Sequence, residues 1–312
     1  MPTELQGVVI KSTGSWYKIM DKGGQIHDCR LRGKFKKDGL RSTNPVAVGD
    51  KVIFELESEQ ETGIITQLLD RKNHIVRKAT NLSRKSHVIA ANLDQALLIA
   101  TLYLPRTSTG FIDRFLVNCE AYSVPAHIIF NKCDLFDQED EAYLDEIIAI
   151  YEPLGYKCLK VSATEKNNLE AFQMLLQDKT TLLSGHSGVG KSTLINAIEP
   201  DIHLKTAALS RAHLKGKHTT TFAEMFQLSV GGFIIDTPGI KEFGLVDFEQ
   251  WELSHYFPEM RKLFNACKFD NCTHYQEPGC AVREQVDKGQ INASRYYNYL
   301  NMLSGQETRY KR

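Results

Sequence analysis

Eight consecutive residues, Gly185-His186-Ser187-Gly188-Val189-Gly190-Lys191-Ser192, constrain this chain more than any other segment. They satisfy G-x-x-x-x-G-K-[ST] at every fixed position, after an apolar run (Thr181 to Leu183) and before a helix-forming one (Thr193 to Ala197). A strand–loop–helix turn of this kind is built to hold phosphate. Its glycines let consecutive N–H groups converge, and the helix N-terminus adds its positive dipole. Lys191 is placed to bridge the β- and γ-phosphates, and the Ser192 hydroxyl to take a position on Mg²⁺. The motif demands an α/β core with a mainly parallel sheet.

The rest of the central region agrees. Apolar runs at Ala96–Leu102, His127–Phe130, Leu159–Val161, Thr181–Leu183 and Phe233–Ile235 read as buried strands. A helix is expected over Asn168–Gln177, with Leu169, Phe172, Leu175 and Leu176 on one face. Phe222–Leu228 reads as an antiparallel edge strand. Asp236-Thr237-Pro238-Gly239 ends the last strand, which sets Asp236 beside the phosphate crevice to hold Mg²⁺ through water. The Gly239 N–H then senses the γ-phosphate.

Asn131-Lys132-Cys133-Asp134 follows the strand ending at Phe130 and matches N-K-x-D. A carboxylate at Asp134 accepts from guanine N1–H and N2–H₂. Adenine would leave it unpaired, which sites of this kind penalise by roughly 10⁴–10⁵-fold. The Lys132 stem covers the base, Asn131 ties this loop to the phosphate loop, and Ser162-Ala163 offers a backbone N–H to guanine O6. Residues Gly185 through Thr193, with Asn131, Lys132, Cys133, Asp134, Ser162 and Ala163, form the expected nucleotide contacts.

The order of these motifs is unusual. N-K-x-D and S-A precede the phosphate loop, the Thr219-Thr220-Thr221 cluster and D-x-x-G, so the α/β domain reads as circularly permuted. Thr220 is the expected second Mg²⁺ ligand. The residue after Gly239 is Ile240, which cannot orient water, so slow intrinsic turnover and stimulation by a partner are expected.

Two flanking regions differ in pattern. Residues 1–72 alternate short β-branched runs (Gly7-Val8-Val9-Ile10, Val52-Ile53-Phe54, Gly63-Ile64-Ile65) with turn signals, as in a small β-barrel. Residues 73–245 make up the α/β domain, and residues 246–312 a helical, aromatic region. Cys267-x₄-Cys272-x-His274-x₅-Cys280 gives a Cys₃His set suited to one closed, structural zinc site. The aromatic, basic run Arg295, Tyr296, Tyr297 and Tyr299 reads as helix packing.

Local charge points to RNA. Lys205, Arg211, Lys215 and Lys217, with His203, His213 and His218, stand in a stretch free of acid before Thr219. Arg30, Arg32, Lys34, Lys36, Lys37 and Arg41 flank Phe35 in the first region. Each stretch has two readings, contact with polyanionic RNA or an ordinary solvated surface. Lys+Arg and Asp+Glu both number 38, so net charge selects no partner. The longest apolar run falls far short of the ~20 residues that span a bilayer, and Met1-Pro2-Thr3-Glu4 lacks signal-peptide character. Seven cysteines, an odd number, fit a reducing compartment. A cytoplasmic monomer is the expectation.

Together these residues resemble the ribosome-small-subunit-dependent GTPase A family (RsgA). The resemblance rests on N-K-x-D ahead of G-x-S-G-V-G-K-S, His218-Thr219-Thr220-Thr221, D-T-P-G followed by a hydrophobic residue, and C-x₄-C-x-H-x₅-C. It covers essentially the whole chain. It implies an oligonucleotide-binding (OB) fold, a permuted GTPase domain and a zinc domain. It also implies late maturation of the small (30S) subunit, with GTP hydrolysis stimulated by that subunit and its 16S rRNA. One departure stands out: where some members carry a histidine in Gly-Leu-Trp-His, this chain reads Gly244-Leu245-Val246-Asp247, and no histidine base carries over. The competing readings are an RNA-binding zinc protein with a dead nucleotide site, which intact Lys191, Ser192, Thr220 and Asp236 oppose, and a P-loop ATPase or kinase, which Asp134 opposes.

Overall fold

The computed structural model describes residues 4–32, 45–57, 62–78, 86–202, 223–236 and 250–305. Among them the first five strands are β1 (Glu4–Ser12), β2 (Tyr17–Asp21), β3 (Ile26–Leu31), β4 (Lys51–Leu56) and β5 (Thr62–Leu68). β1 pairs with β2 and β4, β2 with β3, β3 in parallel with β5, and β5 with β4. The circuit closes into a five-stranded barrel of OB topology. Alternating residues point inward, so Val9, Tyr17, Ile19, Cys29, Val52, Phe54 and Ile65 fill the interior.

A hairpin of β6 (His74–Lys78) and β7 (Ser86–Ala91) follows the barrel. It had no counterpart in the sequence reading. It fastens the barrel to what comes next: Ala90 bridges Val48, and Asn92 Nδ2 donates to the Gly49 carbonyl at 2.9 Å. At the same seam Arg71 forks onto Asp50, with Nε to Oδ1 and Nη2 to Oδ2 both at 2.6 Å. Asp50 is fully buried, and it also accepts from the Ala47 N–H.

The α/β unit contains β8 (Gln95–Ala100), β9 (Ala126–Phe130), β10 (Cys158–Lys160), β11 (Thr180–Ser184), β12 (Glu224–Gln227) and β13 (Phe233–Asp236). Their spatial order is β10-β9-β8-β11-β13-β12, parallel except for β12. Helices α1 (Thr109–Ala121) and α2 (Gln138–Tyr151) cover one face. Helices α3 (Leu169–Leu176) and α4 (Lys191–Ile198) cover the other. Burial on both sides explains why these strands read as continuous apolar runs. β12 is antiparallel, as its sequence suggested, but it is not a free edge. Lys11 of β1 lies opposite Glu224, with Nζ 2.8 Å from Oε1, so barrel and α/β unit share one sheet of eleven described strands. An uncovered edge would leave unpaired backbone groups open to other chains. Beside this bridge lies a cavity of about 560 Å³, lined by Gln6, Met20, Lys51, Gln227 and Phe233 among others.

The C-terminal region holds a 3₁₀ segment (Gln250–Tyr256), α5 (Pro258–Arg261), α6 (Ala281–Asp287) and α7 (Ala293–Leu303). Its core of Leu253, Phe257, Val282 and Tyr299 packs on Val117 of α1. Arg295 and Tyr299 are buried while Tyr297 is 64% exposed, so the aromatic run of α7 packs a helix. Arg295 Nη1 meets Asp113 Oδ1 of α1 at 2.6 Å, and its other nitrogens fork onto Glu259 at 2.8 and 3.0 Å. Burial works against the Arg295 charge, but Asp113 and Glu259 outweigh it and hold the guanidinium above its ordinary pKa. No described helix is long and apolar enough to cross a membrane.

The two seams differ sharply from surface pairs in what their loss costs. Asp50→Ala leaves the Arg71 cation in a buried site without its carboxylate. It should lower stability by about 3–5 kcal/mol, read from urea unfolding of the full chain. Asp28→Ala removes the exposed partner of Lys18 and should leave the transition nearly unmoved.

Candidate nucleotide site and metal centre

The phosphate loop joins β11 to α4. Gly185, Gly188 and Gly190 all have positive φ, at +140°, +90° and +95°. At Gly190 the need for glycine is doubled, because a Cβ would come within 2.3 Å of Asn131 Nδ2. Lys191 Nζ donates to the loop's own carbonyls, Gly185 O at 2.7 Å and His186 O at 2.9 Å. Burial holds its ammonium below the usual lysine range, and the Asp236 carboxylate works against that shift. Asp236 therefore lies within electrostatic reach of the cradle, at the end of β13 and in register with Leu183 of β11. Ser192 and Thr193 open α4, whose N-terminus faces the loop. Ser187 and Gly188 are exposed, and Val189 is buried in the core beneath.

The N-K-x-D loop follows β9, one strand beyond β8. Asn131, 2% exposed, donates through Nδ2 to Val189 O at 2.9 Å and accepts the Ala163 N–H at Oδ1, 3.2 Å away. One amide thus joins the loops after β9, β10 and β11. Lys132 adopts φ +69°, and its Nζ donates to the Leu104 carbonyl. The Cys133 N–H donates to Val161 O at 3.2 Å. Asp134 is exposed, and its Oδ1 accepts from Ser162 Oγ at 2.6 Å. That hydroxyl in turn accepts the Glu165 N–H at 3.0 Å, so the S-A loop fixes the carboxylate. Residues 131–134, 162–163, 185–193 and 236 are accordingly gathered at the C-terminal ends of adjacent strands, where α/β sheets bind ligands.

Several expected residues fall outside the described ones: Thr219, Thr220, Thr221, Gly239, Ile240, Asp247, the basic stretch from His203 to His218, and Lys34 to Arg41 with Phe35. Two features had no sequence signal. The loop before α1 presses Pro105 close to Gly188, and the Phe111 ring packs against His186 with centroids 4.0 Å apart and planes tilted by 32°.

In the C-terminal region the ligand atoms of Cys267, Cys272, His274 and Cys280 all lie within 4.8 Å of one another. His274 Nδ1 is 3.6 Å from Cys267 Sγ and 3.5 Å from Cys280 Sγ. A tetrahedral ion with bonds of about 2.3 Å to sulfur and about 2.0 Å to nitrogen sets that edge at about 3.6 Å. The donor set fits a closed metal centre. Burial and its thiol neighbours push Cys272 up to about 12, a cost that a cation relieves; burial keeps His274 neutral and able to ligate. Glu277, which the sequence reading missed, organises this knuckle. It accepts Thr273 N and Oγ1 at 2.7 and 2.6 Å and Tyr275 N at 2.9 Å, and these hydrogen bonds draw its carboxyl down to about 2.

Comparison with known proteins agrees with this arrangement. The RsgA N-terminal domain family matches residues 6–65, and the RsgA GTPase family matches residues 68–246. The small ribosomal subunit biogenesis GTPase RsgA of Bacteroides fragilis is 52% identical over 97% of both chains. RsgA 2 of Bacteroides thetaiotaomicron is 54% identical over the same shares. The crystal structure of YjeQ from Thermotoga maritima superposes with a TM-score of 0.79 at 34% identity, covering 97% of this chain and 98% of that one. YloQ, described as a circularly permuted GTPase, gives 0.73 at 31% identity over 99% and 97%. With family matches across barrel and α/β unit, and relatives at half identity over nearly the full length, this chain belongs to the RsgA GTPase family.

Proposed function

We propose that this protein is a GTPase that binds the small (30S) ribosomal subunit and assists its late maturation, hydrolysing GTP to GDP and phosphate with stimulation by that subunit. The observation that carries the reading is the Asn131 amide. It bonds the loop that carries Asp134 to the loop that carries Lys191, which supports their serving one nucleotide, Asp134 at the base and Lys191 at the phosphates. Relatives of about half identity bear the name small ribosomal subunit biogenesis GTPase, which supports the partner. The 16S rRNA contact, monomeric state and cytoplasmic location are proposals of the same kind.

Chemically, Asp134 reads guanine with the carboxylate edge left by Ser162, and Ala163 offers its N–H to O6. Lys132 covers the base. The N–H groups of 185–193 hold the phosphates. The Lys191 ammonium exchanges its two loop carbonyls for phosphate oxygens, a net gain because those carbonyls carry only partial charge. Lys191, Ser192, Thr220, Asp236 and Gly239 form the catalytic set. Ser192, Thr220 and Asp236 would hold Mg²⁺, which would neutralise negative charge on the phosphates. With Ile240 and Asp247 at the two expected water-orienting positions, the subunit supplies or orders the missing group. Cys267, Cys272, His274 and Cys280 would hold one structural Zn²⁺, which adds folding energy to a loop-rich segment.

An Asp134→Asn variant should lose its preference for GTP over ATP by several orders of magnitude, as measured by competition for a fluorescent GDP analogue. Full preference retained by that variant would sink the guanine assignment. Phosphate release should rise at least tenfold when 30S subunits are added, in line with partner-stimulated GTPases; an unchanged rate would remove the subunit from the mechanism. Purified protein should contain one zinc per chain, and Cys272→Ser should lose both the metal and the near-ultraviolet signal of Tyr296 and Tyr299. A metal-free protein with an intact C-terminal signal would rule the centre out.

A further inference from the structure

Two helices run between the metal centre and the phosphate loop without a gap. On α7, Tyr296 Oη donates to the His274 carbonyl at 2.7 Å and Tyr299 Oη to the Thr273 carbonyl at 2.5 Å. On the same helix, Arg295 Nη1 and Asn298 Nδ2 each reach Asp113 at 2.6 Å. Asp113 is buried in α1 and also accepts Tyr151 Oη of α2 at 2.9 Å. Two residues earlier on α1, the Phe111 ring packs at a tilt against His186, whose carbonyl holds Lys191 Nζ.

We propose that Arg295 and Phe111 are positioning residues that couple the Cys₃His centre to the phosphate cradle, so that filling the metal site tightens nucleotide binding. The inference rests on the nucleotide and metal assignments made above. Arg295 is 1% exposed, which removes it from any contact with RNA. A buried ionic cluster is seldom more stabilising than a well-packed apolar one, and its best-attested use is to fix one register between elements. Here the register fixed is α7 against α1. A metal that anchors residues 273 and 274 anchors α7 through its two tyrosines. Arg295 passes that constraint to α1, and Phe111 passes it to the loop that must hold Lys191 ready. Coupling of this kind is reciprocal, so bound nucleotide must tighten metal binding by the same factor.

The test uses the full chain in excess Mg²⁺, with a fluorescent GDP analogue as the probe and a chelator selective for zinc over magnesium. Zinc removal should raise the GDP Kd of the wild type by about fivefold or more, the lower range of measured couplings. Arg295→Met strands Asp113 in the core and can fail to fold, so Phe111→Leu is the decisive variant: it keeps an apolar side chain on α1 and removes only the ring that meets His186. In that variant zinc removal should change Kd by less than about twofold, and GDP should no longer raise the zinc affinity. An unchanged Kd in the metal-stripped wild type overturns the coupling. Equal factors in wild type and Phe111→Leu overturn the route. Metal-loaded wild type that binds no GDP would instead fail the nucleotide assignment, and this inference with it.

Discussion

The site depends on one side-chain amide. Asn131 is buried, and both ends of its carboxamide are used: the nitrogen on Val189 O, the oxygen on Ala163 N–H. No other described contact joins all three loops that the nucleotide requires. Its effect goes beyond the net value of a hydrogen bond, about 1 kcal/mol, because a lost partner also strands a buried carbonyl and a buried N–H. The close fit of Gly190 against the same amide shows how little slack is present. Residues 58 apart in the chain are held in one geometry, and the reversed order of the motifs has no consequence for it.

Around that centre, three charged contacts place the appended regions, and they differ in kind. Asp50–Arg71 and Asp113–Arg295 are buried and forked or shared, with every carboxylate oxygen occupied. Such pairs cost desolvation that only full hydrogen bonding recovers, so they tolerate a single arrangement of their elements. Lys11–Glu224 is part-exposed and joins strands through a single register pair, next to a cavity. The barrel is therefore fixed firmly where it meets the β6–β7 hairpin and lightly where it meets β12.

Much of this was legible in the sequence because the chemistry forces the residues. A phosphate loop needs its glycines, lysine and serine, and a guanine reader needs a carboxylate in the N-K-x-D pattern, so both motifs survive any shuffling of strand order. The parallel strands were legible because burial on both faces makes them uniformly apolar: the run read as Ala96–Leu102 is β8, Gln95–Ala100. The helix read as Asn168–Gln177 is α3, Leu169–Leu176. What stayed hidden was long-range pairing. Nothing local in residues 224–227 distinguishes a free edge from one capped by β1, and nothing in β3 announces its parallel partner β5. Arg295 was read as part of a packing run, yet only the fold reveals that its partner is 182 residues away. Glu277 escaped notice because a loop-organising carboxylate has no periodicity to betray it.

The permutation also decides where the appended regions can act. Opening the α/β unit between β13 and β8 places both new ends on the strands that flank β11, the strand bearing the phosphate loop. Their directions differ. The chain enters β8 at the end of the sheet remote from the cradle, whereas it leaves β13 at Asp236, on the cradle itself. The C-terminal region thus follows in the chain from the strand that ends at Asp236. Among the described residues the barrel reaches the same level across strands, along the row Lys11, Glu224, Asp236, in which each residue lies opposite the next. Side chains directly opposite in a sheet sit about 5 Å apart, so the row runs from the barrel to the end of β13 without a break. Of the two connections to Asp236, the one to the C-terminal region runs through the backbone and the one to the barrel through a part-exposed ion pair, which is the weaker and more salt-sensitive.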